Sequence, residues 1–114
     1  MMLGEPTALD YLRADVSGTR EEWDTAQTRS VACRLGYVVA RTVVFDQYTD
    51  APVDRLINVV RNLGAEAVIV PSLSHFGGIV PAALVQAVDL ITVEPYATYA
   101  RGSAGQPPDE MGAR

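Results

Sequence analysis

The stretch Ala67-Val68-Ile69-Val70-Pro71 constrains this chain most. It is apolar throughout, rich in β-branched residues, five residues long and closed by a proline, which is the pattern of a central strand covered on both faces. The next residues, Ser72-Leu73-Ser74-His75-Phe76-Gly77-Gly78, turn polar and loop-like at once. In an open α/β sheet, ligands sit outside the carboxyl ends of the strands, so any chemistry is expected here first.

The other elements take their places around that strand. Thr7–Arg13 reads as a first strand and 14–18 as a loop. A helix is expected from Arg20 to Leu35, opened by the capping-box pattern Thr19-Arg20-Glu21-Glu22 and stopped by Gly36. Trp23, Ala26, Ser30, Val31 and Cys33 mark its expected inner side. The Val-rich segment Tyr37–Phe45 reads as a second strand. Asp50 is placed to cap the next helix, with Pro52 in its first turn. Val53, Leu56, Ile57, Val60 and Leu63 recur at helical spacing, and Gly64 ends the pattern. After the central strand, 79–88 reads as an apolar helix with Pro81 in its first turn, and Leu90–Val93 as a fourth strand. Tyr96–Ala100 is expected to run over the surface, and the Gly/Pro-rich 101–114 to be a disordered tail after one domain spanning 1–100. Strands alternating with helices imply right-handed crossovers and a parallel sheet. The expected fold is a three-layer α/β domain with a four-stranded parallel sheet in the order 2-1-3-4.

Charge and cysteine content narrow the function. The net charge is −5 and no lysine stands among the nine basic residues, which argues against a sequence-independent grip on a phosphate backbone. The single Cys33 fits a reducing compartment. With no apolar run approaching a membrane span and no basic-then-apolar start, the expectation is a cytoplasmic protein without a membrane partner. One histidine, one distant cysteine and scattered acids give no metal-ligand spacing, and no Gly-x-Gly-x-x-Gly or P-loop pattern is present, so neither metal nor cofactor is expected.

Three short matches carry a resemblance. Tyr11-Leu12-Arg13-Ala14-Asp15, Gly36-Tyr37-Val38-Val39 and Leu73-Ser74-His75-Phe76-Gly77-Gly78 succeed one another at the ends and starts of the expected strands. In that order they resemble the catalytic domain of serine recombinases, the resolvase/invertase family, over residues 11–100. The resemblance implies a resolvase-like fold. It also implies lost activity. The family's nucleophilic serine corresponds to Asp15, its aspartate to Ser74, and its two phosphate-holding arginines to His75 and Gly78. Phosphoryl transfer to a serine needs that hydroxyl and those guanidiniums, and a carboxylate in their midst repels the phosphate. Of the family's phosphate site, Arg13 is retained. Before the family's long dimer helix and helix-turn-helix would begin, the sequence ends, so a stand-alone, catalytically inactive domain is expected.

Two candidate sites emerge. Arg13, Asp15, Ser17, Asp46, Ser72, Ser74 and His75 all fall at the carboxyl edge of the expected sheet, where Asp15 could pair with His75 and His75 activate one of the serines. The plainer alternative is that loops after strands are polar in any α/β protein and that Arg13 pairs with Asp15 or Asp46. The second site is the helix over 79–88, apolar on nearly every side. In so small a domain it is expected to present Val80, Leu84, Val85 and Val88 to a protein partner or a second copy. The leading expectation is therefore a non-catalytic, protein-binding or regulatory module, alone or as a subunit of a larger assembly. The alternative is a small-ligand-binding protein or hydrolase using the crevice near Asp15 and His75. Nucleic-acid binding is expected least.

Overall fold

The computed structural model of the chain describes residues 5–102. Strand β1 (Thr7–Arg13) is followed by a single helical turn α1 (Ala14–Ser17), a 3₁₀ turn (Gly18–Arg20) and helix α2 (Glu21–Arg34). Strand β2 (Val38–Phe45), helix α3 (Pro52–Leu63), strand β3 (Ala67–Val70) and a 3₁₀ turn (Leu73–Phe76) come next. Helix α4 (Ala82–Ala87) and strands β4 (Asp89–Thr92) and β5 (Ala97–Tyr99) complete the domain. The sheet order is β2-β1-β3-β4-β5. The first four strands are parallel in the order expected, and β5 adds an antiparallel fifth, pairing Leu90 with Tyr99 and Thr92 with Ala97.

The strand alternation divides the core between two faces. On one side Leu9, Tyr11, Val68, Val70 and Leu90 pack against α3 and α4. On the other, Ala8, Ala67, Ile69 and Ile91 meet Val31 and Ala32 of α2. All four residues of β3 are fully buried, as a strand covered on both faces must be. The α3 stripe of Leu56, Ile57 and Val60 lies inward, and Gly64 closes the helix at φ 64°, a left-handed cap that favours glycine.

Several local expectations are corrected. Segment 14–18 is a helical turn and not a loop, because the chain coils as soon as β1 ends. Neither Thr19 nor Asp50 caps a helix through its side chain; Arg20 and Ala51 hold the N-cap positions. The inner side of α2 is Asp24, Thr28, Val31 and Ala32, one position away from the expected stripe, while Trp23 and Cys33 face outward. Tyr96–Ala100 is not a surface extension. Ala97–Tyr99 pairs with β4, the Tyr99 ring is buried, and the segment beyond is tied down by Arg101 N–H to Asp89 (2.7 Å) and Gly102 N–H to the Val85 carbonyl (2.8 Å). Most of the expected tail, 103–114, lies outside the described residues.

The largest correction concerns α4. The helix covers six residues rather than ten, and Leu84, Val85 and Val88 are buried among Tyr11, Val60, Val70 and Leu90 in the chain's own core. Val80 packs half-buried against the same cluster. The helix is apolar because it plugs the space between α3 and β4, so these four residues do not form an exposed interface. Accordingly, Leu84→Ala should cost about 2–5 kcal/mol in urea unfolding, whereas Ile79→Ala, at an exposed position, should stay within about 0.5 kcal/mol of the parent.

Candidate functional site

Between β1 and β3 the chain reverses its direction of winding, since β1 leads to β2 on one side and the crossover from α3 returns to β3 on the other. At such a switch point the loops leave the sheet in opposite directions and open a crevice at the carboxyl ends of the strands. A cleft of about 510 Å³ lies there, walled by α2 on one side and by the Pro71–His75 segment on the other, with Val93 and Glu94 beyond β4 closing its end.

His75 is its anchor. The 3₁₀ turn after β3 is held by His75 N–H to the Ser72 carbonyl (3.2 Å) and Gly78 N–H to the Leu73 carbonyl (2.8 Å). Gly77 and Gly78 both sit at positive φ (73° and 84°), which lets the chain turn back on itself. Phe76 stacks on Tyr11 at 4.9 Å, and Tyr11 meets Phe45 edge-on, so the turn is clamped to β1 and β2 by aromatic packing. The imidazole is only 3% exposed, and its Nδ1 accepts the backbone N–H of Arg13 at 2.9 Å. An accepting Nδ1 places the ring proton on Nε2. Burial pushes the His75 pKa below the ordinary value against the pull of Asp24, with Arg13 also lowering it, so the ring is neutral at pH 7.

The other expected site residues are distributed differently. Arg13 forms a two-pronged ion pair with Asp15 (2.9 and 2.7 Å), which raises the arginine pKa and lowers that of Asp15. Asp15 therefore does not pair with His75. Ser17 is buried beside the cleft and donates to Asp24 Oδ2 at 2.7 Å, while Arg20 lies 3.8 Å from the other carboxylate oxygen. Ser72 and Ser74 line the cleft and hydrogen-bond to each other. Asp46 stands apart, accepting the Tyr48 N–H in its own turn (2.9 Å). Each serine hydroxyl is thus bonded to something other than His75, and the nucleophile–base–carboxylate relay is not assembled. The arrangement suits binding, with a neutral N–H donor, two hydroxyls and carboxylates around an open space.

Sequence reasoning missed the α2 wall (Arg20, Trp23, Asp24, Gln27) and Glu94. Asp24 and Thr28, four apart and both buried, were the signal for the true inner side of α2. Among the described residues no group of three or more His, Cys, Asp or Glu side chains is placed to hold a metal, and no helix is long and apolar enough to cross a membrane. Comparisons with protein-family models, with curated proteins and with solved structures found no match to this chain.

A second acid, Asp10, was also overlooked although it interrupts an apolar strand. It sits on the α2 face of β1, fully buried, and neither carboxylate oxygen has a hydrogen-bond partner. Thr28 is near, but its hydroxyl is committed to the Thr25 carbonyl (2.9 Å), and Arg29 approaches only to 3.8 Å. Burial raises its pKa from 3.8 to about 6, with Thr28 and Arg29 opposing. The folded state therefore holds a proton that the unfolded state has released between pH 4 and 6, and this group lowers stability as pH rises through that window. The shift corresponds to about 3 kcal/mol above pH 6. In urea unfolding from pH 4 to 7, Asp10→Asn should remove a stability decline of that order relative to the parent; identical profiles for the two proteins would contradict the assignment.

Proposed function

We propose that this chain is a resolvase-like α/β domain without strand-cleaving chemistry, and that it binds a small ligand in the cleft beside His75. The observation that carries the reading is an open crevice at the β1/β3 switch point walled by two buried polar residues, Asp24 and His75. The matched stretches 11–15 and 73–78 lie at the ends of two hydrogen-bonded strands, and by the sequence match Asp15 takes the place of the family's nucleophile. Asp15 neutralises Arg13, the one retained phosphate-site residue, so a scissile phosphate would meet an already paired cation.

A mixture of small polar and aromatic fragments, followed by amide spectra of the ¹⁵N-labelled chain, tests the binding reading. Shifts should concentrate at residues 20–27 and 72–76. Fragments that shift no amide there would overturn it.

A second reading, a module for a protein partner or a second copy, is favoured by one observation. Leu35 and Tyr96 stay exposed beside a shallow, largely apolar groove of about 310 Å³ completed by Val31, Arg34 and Val93. On this reading the parent chain should sediment as a reversible dimer at high micromolar concentration and Tyr96→Glu as a monomer. A strictly monomeric parent removes the second-copy form.

A further inference from the structure

The lining of the cleft also selects a class of ligand, an inference that rests on the cleft being a binding site. Trp23 forms part of the α2 wall with 58% of its surface exposed, although a tryptophan in a small domain is usually recruited into the core. Its neighbours along the helix, Asp24 and Gln27, are polar, and Val16, Pro71 and Val93 share the lining, yet most of the residue stays open to solvent. An exposed indole on the wall of a cleft of mixed polarity is suited to stack a flat ring.

Charge then selects among flat rings. The cleft holds one guanidinium, Arg20, and two carboxylates, Asp24 and Glu94. Arg20 stands 3.8 Å from Asp24, beyond hydrogen-bond distance, and the other oxygen of Asp24 receives the Ser17 hydroxyl, so the one guanidinium of the cleft already faces a carboxylate. Glu94 remains as an exposed acceptor at the end of the cleft, suited to an amino group or ring N–H. The opposite wall holds the mutually hydrogen-bonded Ser72 and Ser74 hydroxyls and the buried His75, polar groups suited to the hydroxyls of a sugar. A phosphate would meet one guanidinium set against two carboxylates, in a lining of net negative charge on a chain of charge −5.

We propose that the cleft binds an amino-bearing nucleoside in its unphosphorylated form, the base stacked on Trp23 with its amino group toward Glu94 and the sugar against Ser72, Ser74 and His75.

Trp23 is the only tryptophan, so fluorescence excited selectively at the indole, clear of the five tyrosines, reports on this cleft. Adenosine, uridine, AMP, benzamidine and inorganic phosphate serve as probes. Adenosine should quench saturably, with uridine and AMP each about tenfold weaker, a difference of about 1.4 kcal/mol. Glu94→Gln, at an exposed position, should weaken adenosine about tenfold at unchanged melting temperature. Equal binding of uridine and adenosine, tighter binding of AMP, or an unaffected Glu94→Gln variant overturns the ligand class. Saturable quenching by benzamidine or phosphate without adenosine also overturns the class and leaves the cleft as a binding site. No quenching by any probe overturns the class, and the cleft then stands or falls on the amide shifts at residues 20–27 and 72–76.

Discussion

The register of β1 on β3 is the constraint on which the rest depends. Ala8, Leu9 and Asp10 lie opposite Ala67, Val68 and Ile69, joining two strands separated by two helices and an edge strand. Closing so long a loop costs chain entropy that only burial on both sheet faces can offset. The all-buried β3, with Ala67 and Ile69 under α2 and Val68 and Val70 under α3 and α4, provides that burial. The same register brings the end of β1 beside the turn after β3. The Arg13 N–H reaches His75 Nδ1 across 62 residues of sequence, so a main-chain donor left over at a strand end becomes the device that orients the imidazole.

Local electrostatics at this edge are largely self-satisfied. Arg13 is matched by Asp15, Asp24 by Ser17 and Arg20, and Ser72 by Ser74. Catalytic sites of the phosphoryl-transfer kind depend on charges held ready for the reacting group. Here most of the charges answer one another, while Glu94, the neutral histidine and the exposed indole do not. Asp10, sealed under α2 without a hydrogen bond, lies on the sheet face that α2 covers, and its cost is borne there.

How far the fold was legible depends on these same forces. The apolar run at Ala67 announced β3, the α3 stripe announced its helix, and the alternation of strands with helices gave the parallel order of four strands. Strand β5 was hidden because the three residues Ala97–Tyr99 carry no period of their own and become a strand only by pairing with β4. The apolar helix at Ala82 was visible as such, but apolarity on all sides does not distinguish a surface awaiting a partner from a plug in a small core. In α2, Trp23 pulled the expected inner face toward itself, whereas the buried line ran through two polar residues. For the site, Ser72, Ser74 and His75 could be placed because they follow a strand directly. The α2 wall and Glu94 arrive through tertiary packing, which sequence spacing does not encode. The pairing of Arg13 with Asp15 was legible, being two residues apart at a strand end.

On the proposed reading, His75 is a fixed, neutral Nε2–H donor at the cleft. Because it is the only histidine, a long-range ¹H–¹⁵N spectrum of the imidazole reads its state without ambiguity. The expected spectrum is that of the neutral tautomer with the proton on Nε2 at pH 7, titrating below the ordinary histidine value. A protonated ring at pH 7, or a proton on Nδ1, would contradict it.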